Sequence, residues 1–177
     1  MNFCSNCGEI TVIMVPDGDN RERNVCRNCG TIHYENPRII AGCIVLNNNK
    51  VLLCRRAIEP RIGLWTVPAG FMENGETVAE AALRETWEEA RTEPILDKLY
   101  MVTSIPRINQ VYMLYLAFLA KEKHDPGPES LETRFFSLEE IPWNNLAFNT
   151  VQQSLRFLKN DLDNKSFSFH ANDHKNF

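Results

Sequence analysis

The feature that most constrains this chain is an acidic helix predicted within residues 70–92, GFMENGETVAEAALRETWEEART. Thr77 and Glu80 form the T-x-x-E pattern of a capping box, which predicts that the helix begins just after Thr77. Small and apolar residues recur every three or four positions from Val78 to Ala90, so one face of the helix can pack against a core. The remaining face is acidic.

Three glutamates on that face, Glu85, Glu88 and Glu89, are spaced i, i+3 and i+4, so their carboxylates project from one side of the helix. Like charges at this spacing destabilise an isolated helix by roughly 0.2–0.5 kcal/mol per pair. A divalent cation such as Mg²⁺ or Mn²⁺ reverses this effect, because it takes hard oxygen ligands and keeps positions open for water and phosphate. The pattern therefore indicates either a solvated acidic surface or a metal site.

A longer pattern around the glutamates resembles the signature of a known family. The spacing G-x5-E-x7-R-E-x2-E-E is formed by Gly70, Glu76, Arg84, Glu85, Glu88 and Glu89. This spacing resembles the Nudix box of hydrolases that cleave nucleoside diphosphates linked to another moiety. The resemblance implies that Glu85, Glu88 and Glu89 are ligands of a catalytic Mg²⁺ or Mn²⁺. The Gly70 carbonyl oxygen would be a further ligand, and Arg84, paired with Glu76, would hold the glutamates in place.

Three positions depart from the Nudix box. Thr86 and Thr92 stand where aliphatic residues are usual, and Arg91 replaces a glycine. The Thr86 hydroxyl can donate to a carbonyl one turn earlier, whereas Arg91 is expected to remove the usual left-handed stop of the helix. We expect these differences to affect the end of the helix and not the metal ligands.

Four cysteines near the N-terminus predict a second metal site. Cys4-x2-Cys7 and Cys26-x2-Cys29 have the spacing of a four-cysteine zinc ribbon. A closed set of four thiolates leaves no position for water, so we expect structural Zn²⁺ here and catalysis elsewhere. The alternative is that these cysteines are simply buried or paired as disulfides.

The composition restricts the compartment and the partners. The net charge is -4, which argues against a nonspecific grip on nucleic acid, and we do not expect nucleic acid as a partner. The N-terminal residues lack the pattern of a signal peptide, and the longest apolar run, Val111 to Ala120, is too short to span a bilayer. We therefore expect a cytoplasmic chain with no membrane partner and with reduced cysteines.

Periodicity after a linker at residues 35–37 predicts the remaining elements. Residues 38–46 and 50–56 indicate a hairpin in a covered sheet, with Cys43 and Cys54 in the core. Two further strands are predicted at 95–105 and 110–121, and a helix at 148–158. Residues 161–177 are polar and lack helical periodicity, so we expect a tail.

Several further residues are candidates for contacts with a substrate. A loop at 125–130 carries Glu129, and Glu132 follows it. The resemblance implies that an acidic residue from a loop or strand opposite the helix serves as a ligand or as the base that deprotonates water. Exposed loop glutamates are the alternative. Arg55 and Arg56 leave a strand end together, where either a phosphate contact or surface charge is expected. Trp65 and Phe71 either stack on a base or pack in the core.

The fold expected from the resemblance is α/β: an α/β/α sandwich with a mixed sheet, preceded by a small zinc ribbon. The domains would be a ribbon at 1–36, a Nudix hydrolase domain at 37–160 and the polar tail at 161–177.

The resemblance also implies a function. The ribbon, GLWTVPAGFMENGET and PGPESLE together are similar to enzymes that split FAD and ADP-ribose, and many relatives are homodimers. We expect metal-dependent hydrolysis of a nucleotide diphosphate. The alternatives are a module that senses nucleotides or binds a partner without turnover, and a hydrolase that removes damaged nucleoside triphosphates.

Overall fold

The computed structural model describes residues 1–174 of the chain. The chain divides into two compact units, and the division falls between Asn36 and Pro37, at the linker expected from the sequence. Within residues 1–174 no helix has both the length and the apolar character needed to cross a membrane.

The first unit is a small antiparallel sheet with a minimal core. Its strands are β1 (Thr11–Met14), β2 (Arg23–Cys26) and β3 (Ile32–His33), in the order β1-β2-β3. Five of its 36 residues are buried, and two of them are cysteines: Cys4, Thr11, Pro16, Cys26 and His33. This small amount of buried apolar surface cannot stabilise a fold by itself. We therefore expect the unit to depend on metal binding by its cysteines.

Within residues 37–174 the second unit has eight strands and two helices. The strands are β4 (Arg38–Asn47), β5 (Lys50–Arg56), β6 (Trp65–Thr66), β7 (Ala69–Phe71), β8 (Ile95–Ile105), β9 (Gln110–Phe118), β10 (Ser130–Phe136) and β11 (His170–Asp173). The helices are α1 (Val78–Ala90) and α2 (Asn149–Asp163), and short 3-10 turns lie at Pro106–Ile108 and Trp143–Asn145.

The strands form one mixed sheet between the two helices. Its order is β10-β5-β4-β9-β8-β11, with β6 paired to β5 and β7 paired to β4. Strand β4 runs parallel to β9 and antiparallel to β5. Successive side chains of β4 point to opposite faces of the sheet. Cys43 and Val45 pack with α1 on one face, and Ile44 and Leu46 pack with α2 on the other. This is the α/β/α sandwich predicted from the sequence.

Strands β4 and β5 diverge soon after their turn, which leaves a gap between them in the sheet. The two strands are paired only next to their turn, at Leu46–Val51 and Asn47–Lys50. Beyond this point β7 takes the place of β5 and pairs with β4, with Ala41 opposite Gly70. Gly42 packs so closely on Ala69 that a Cβ at this position would overlap it. Close approach of the two backbones therefore requires glycine, and the opening brings Gly70 next to α1.

The prediction of a polar tail is wrong for residues 161–174, which include regular structure. Helix α2 continues to Asp163, and β11 then pairs parallel with β8 at the edge of the sheet. The buried Asp161 carboxylate accepts hydrogen bonds from the Tyr100 hydroxyl (2.8 Å) and the Ser168 N–H (3.2 Å), and lies 2.9 Å from His170 Nε2. The His170 ring also stacks on Phe157, with the centroids 4.1 Å apart. Residues 175–177 of the predicted tail lie outside the described part of the chain.

The end of α1 also differs from the prediction. Arg91 takes the left-handed conformation (φ 48°, ψ 39°), and its N–H donates to the Trp87 carbonyl, so the left-handed stop is retained without glycine. Its guanidinium lies over the Trp87 ring, 5.5 Å from the centroid. The prediction for Thr86 is confirmed, because its hydroxyl donates to the Ala82 carbonyl over 2.7 Å.

Asp161→Ala should destabilise the second unit by about 2–3 kcal/mol, because the fully buried Tyr100 hydroxyl would lose its acceptor. Asp161→Asn keeps an acceptor oxygen and should cost less. Urea unfolding followed by tryptophan fluorescence measures this unit alone, since all three tryptophans lie after residue 36. Equal stability of the three proteins would contradict the role of Asp161.

Candidate active site

The acidic cluster is positioned by a precise start of α1. The Thr77 side chain accepts a hydrogen bond from the Glu80 N–H (3.2 Å), and the Thr77 N–H donates to the Glu80 carboxylate (2.7 Å). This is the capping box predicted from the sequence. A fixed helix start determines the direction in which the glutamates two turns later project.

Arg84 connects the helix to the strand that precedes it. Its guanidinium donates to both Glu76 oxygens (2.8 and 3.0 Å), to Glu85 (2.8 Å), to Glu88 (3.2 Å) and to the Phe71 carbonyl (3.0 Å). The hydrogen bonds from Arg84 lower the pKa of Glu76 to about 2, so Glu76 remains ionised. Arg84 therefore pairs with Glu76 as expected and orients two of the three glutamates.

Glu85 and Glu89 are the two glutamates that the fold withdraws from water. The Glu85 carboxylate packs directly against Gly70, where a Cβ would overlap it. Glu89 is 6% exposed and accepts a hydrogen bond from the Ala69 N–H (3.3 Å). Burial, with a further contribution from the Glu85 charge, raises the pKa of Glu89 to about 8. Burial also raises the pKa of Glu85, against the opposing effect of Arg84.

Glu88 lies at the edge of this cluster. Its side chain is 50% exposed, compared with 12% for Glu85. The three carboxylates therefore differ in environment although they are adjacent on one helix face.

The loop after β9 brings a fourth acidic residue to the site. The Asp125 and Gly127 N–H groups donate to the last carbonyls of α1, those of Ala90 (3.0 Å) and Glu89 (3.1 Å). Gly127 packs against the Glu88 carbonyl with no room for a Cβ. These contacts fix the loop to the helix end, and Glu129 thereby lines the same cavity as the cluster.

Glu132, the other acidic candidate, is placed differently. It lies on β10 in an ion pair with Arg55, 3.2 Å long. Glu132 is not among the cavity-lining residues found within the described chain. The structure thus brings together Glu129 and the helix glutamates but not Glu132.

The acidic cluster lines one end of a cavity of about 710 Å³. Such a volume is typical of sites for a nucleotide-sized ligand. Basic residues of the lining are Arg56, Arg61, Arg84 and Arg107, and the apolar and aromatic residues include Ile40, Ile58, Phe71, Ile105, Ile108, Tyr112 and Phe148. Phe71 thus lies at the cavity as one alternative predicted, whereas Trp65 is buried in the core against Phe136.

Sequence reasoning missed Tyr112 and His174 as cavity residues. Tyr112 lies within a predicted strand. The alternation of residues along that strand indicates which face of the sheet Tyr112 occupies, but not that a cavity lies there. His174 lies in the segment that was expected to be a tail. Pairing between β11 and β8, which has no local sequence signal, brings His174 to the cavity.

The donor set at the acidic cluster fits a hard divalent cation. The ligands predicted from the sequence, Glu85, Glu88, Glu89 and the Gly70 carbonyl, would all offer oxygens, and the Glu85 carboxylate lies where a Cβ at Gly70 would be. The Arg84 guanidinium donates hydrogen bonds to both Glu85 and Glu88. Within residues 1–174, the four cysteines are the group of three or more possible ligands whose atoms lie within 4.8 Å of one another.

The four cysteines have the geometry of a tetrahedral zinc site. The Cys4 and Cys29 sulfurs lie 3.7 Å apart, and those of Cys7 and Cys26 lie 3.5 Å apart. Zn–S bonds of about 2.3 Å in a tetrahedron give sulfur separations of about 3.8 Å. His33 Nε2 lies 3.3 Å from the Cys4 sulfur, a contact that the sequence did not predict.

Family comparison agrees with the geometry of both units. Residues 36–160 match the NUDIX domain, and residues 2–35 match the zinc ribbon described as Nudix N-terminal. The chain belongs to the Nudix hydrolase family. The family resemblance inferred from the sequence is therefore confirmed. The prediction that the chain is an enzyme is confirmed with it, since this is a family of hydrolases.

Two curated Nudix relatives illustrate the range of activities. An ADP-ribose pyrophosphatase from Methanocaldococcus jannaschii is 32% identical over 120 residues, covering 66% of this chain and 70% of the relative. A NAD-capped RNA hydrolase, NudC, from Chromobacterium violaceum is 37% identical over 155 residues, covering 85% of this chain and 56% of the relative. This chain thus spans about half the length of that RNA hydrolase.

A solved structure matches nearly the whole chain. A NUDIX hydrolase from Nitrosomonas europaea is 47% identical, with a TM-score of 0.95, and the match covers 98% of this chain and 99% of that one.

Without Mg²⁺ or Mn²⁺, the second unit should lose stability as the pH rises from about 4.5 to about 8. The pKa of Glu89 is about 8 in the folded protein and near 4.5 in the unfolded chain, so the folded state binds the extra proton in this range. The loss, on the order of a few kcal/mol, should be smaller in Glu89→Gln. Urea unfolding at several pH values, followed by tryptophan fluorescence, measures it.

Adding Mg²⁺ or Mn²⁺ at pH 8 supplies the control. The cation should restore stability to the unmodified protein, since it favours the ionised glutamates, but should restore much less to Glu89→Gln. Identical pH profiles for the two proteins would contradict the raised pKa of Glu89.

Removing zinc should unfold the ribbon and spare the Nudix unit. The ribbon buries too little to fold without its metal, so amide hydrogen exchange should increase across residues 1–36 after chelation. Cys26→Ser should reproduce this change, whereas Arg27→Lys, at an exposed position between the ligands, should not. Loss of hydrolysis with an intact ribbon would show that the cysteine site is catalytic.

Proposed function

We propose that this chain hydrolyses the diphosphate bridge of a nucleoside diphosphate derivative, with ADP-ribose first and FAD second among candidate substrates. Water adds to one phosphorus, the bond from that phosphorus to the bridging oxygen breaks, and two monophosphates leave with release of a proton. The observation that carries the proposal is the buried Glu89 and the mostly covered Glu85 near Gly70, in the wall of a nucleotide-sized cavity.

Glu85, Glu88 and Glu89, with the Gly70 carbonyl, are the groups that would hold a divalent cation. Nudix enzymes require such a cation, and we propose Mg²⁺ or Mn²⁺ because the donors are all oxygens. When bound, it would neutralise phosphate charge and lower the pKa of a coordinated water. The raised pKa of Glu89 supports this role, since a buried carboxylate that lacks a cation tends to hold a proton.

The other residues orient the reacting groups. Arg84 holds Glu85 and Glu88 through its guanidinium, so it acts through the ligands rather than on the substrate. Glu129 lines the cavity beside them and is the better placed of the two acidic candidates to accept the proton of the attacking water. Arg56 also lines the cavity, and we propose that it contacts a phosphate.

The choice of substrate rests on the chain's relatives and on the cavity. The Methanocaldococcus jannaschii relative is an ADP-ribose pyrophosphatase, and the ribbon and the loop sequences of this chain are similar to those of enzymes that split FAD and ADP-ribose. NAD-capped RNA is the third candidate, because several relatives are hydrolases of that substrate. It would make nucleic acid a partner, against the expectation from net charge.

A turnover screen tests the proposal. Zinc-loaded protein with Mg²⁺ or Mn²⁺ is incubated with ADP-ribose, FAD, NADH, NAD-capped RNA and oxidised nucleoside triphosphates, and the mononucleotide products are measured. We expect the highest kcat/KM for ADP-ribose or FAD. A flat screen with tight nucleotide binding would favour a sensor, and preference for triphosphates would favour removal of damaged nucleotides.

Glu89→Gln should lower kcat by about a hundredfold or more, because it removes a charged metal ligand while keeping the shape of the side chain. Glu132→Gln is the matched control, since Glu132 faces Arg55 and not the cavity, and it should retain near-normal kcat. Steady-state kinetics with the best substrate measures both. Near-normal turnover by Glu89→Gln would refute its assignment as a ligand.

The predicted homodimer stays a prediction. Sedimentation of the zinc-loaded protein would measure the oligomeric state directly.

A further inference from the structure

The cavity extends across the sheet from α1 to the last strand. Register defines this path, because residues in register on neighbouring strands share a face. Among the residues that line the cavity, Phe71 on β7 is opposite Ile40, and Ile40 is opposite Tyr112 on β9. Gln110, two residues before Tyr112, is opposite Ile105 on β8, and His174 follows β11 on the far side of β8. Strands in a sheet are about 4.8 Å apart, so four steps separate β11 from β7 by roughly 19 Å. The two ends of the cavity are therefore far apart.

His174 lies at the end of this path that is remote from the glutamates. It follows directly on β11, and its N–H donates to the Ser104 carbonyl over 2.9 Å, which continues the pairing with β8. His174 lines the cavity together with Ile105 and Ile108.

The strand that carries His174 is anchored inside the fold. His170, four residues earlier, faces the same side of β11 and is held by Asp161 and by stacking on Phe157. The buried network on α2 therefore fixes the position of β11. His174 is built into the cavity wall by tertiary contacts.

We propose that His174 is a specificity-determining residue that contacts the nucleobase at one end of the substrate. This inference rests on the proposed function, since only a nucleoside diphosphate derivative would place its bridge at Glu85 and Glu89. The distance across the sheet exceeds what a diphosphate alone spans, so the group at β11 is the end of an arm of the substrate. An imidazole ring that lines the same cavity as Ile105 and Ile108 is suited to stacking on a planar heterocycle.

A structural role is the competing explanation for His174. The two explanations differ in what the removal of the imidazole changes. Loss of a base contact weakens binding of substrates that carry the base, whereas loss of a structural contact affects every substrate and the stability of the unit. A pair of substrates with and without the base therefore separates them.

The experiment compares ADP-ribose with diribosyl diphosphate, in which two ribose 5-phosphates are joined by the same bridge without adenine. His174→Ala should raise KM for ADP-ribose about tenfold, with kcat within about twofold, and leave kcat/KM for diribosyl diphosphate unchanged. His174→Phe keeps a flat ring and should recover most of the loss. Asp173→Ala, on the opposite, exposed face of β11, is the matched control and should behave like the unmodified protein.

Each outcome decides one question. Equal losses with both substrates, or a lower melting temperature for His174→Ala, would show a structural role, and no loss with ADP-ribose would show that His174 makes no contact with the base. Either result would overturn the inference while the proposed function stands. An unmodified protein that hydrolyses neither substrate would instead overturn the proposed function, and this inference with it.

Discussion

The site depends on one guanidinium surrounded by carboxylates. Arg84 donates to three glutamates and to a strand carbonyl, and its fixed fork of donors determines where the acidic groups point. Without it, Glu76, Glu85 and Glu88 would repel one another, and the Phe71 carbonyl of β7 would lose its hydrogen bond to α1. The same contacts that hold the helix on the sheet therefore also hold the acidic groups at the cavity. In this part of the molecule, the hydrogen bonds of Arg84 both stabilise the fold and position the proposed metal ligands.

Glycines provide the space that this arrangement needs. Gly42 lets β4 approach the segment before β7, Gly70 leaves room for the Glu85 carboxylate, and Gly127 lets the loop of Glu129 reach the end of α1. None of these three needs a left-handed backbone. Each is required because another group lies where a side chain would begin, so even alanine would displace part of the site.

Local patterns in the sequence predicted the parts of the structure that are determined locally. The capping box of Thr77, the hairpin of β4 and β5, the core cysteines and the four-cysteine spacing all follow from neighbours in the chain. What the sequence did not reveal depends on distant partners. The segment containing β11 reads as polar, because Asp161 and His170 stabilise it through hydrogen bonds rather than through apolar periodicity. Arg91 closes α1 in a conformation usually left to glycine, and only the docking of the loop after β9 distinguishes Glu129 from Glu132.

The position of β4 has a consequence for how such a chain can diverge. Its side chains pack alternately with α1 and with α2, and seven consecutive residues, 40–46, are buried. A substitution that changes the side-chain volume at any of these positions disturbs the packing of one helix or the other, so this strand tolerates few substitutions. The loops at the cavity rim, such as residues 58–61, are not packed between the two helices in this way. New specificity can therefore arise at the rim while the central strand is inherited unchanged.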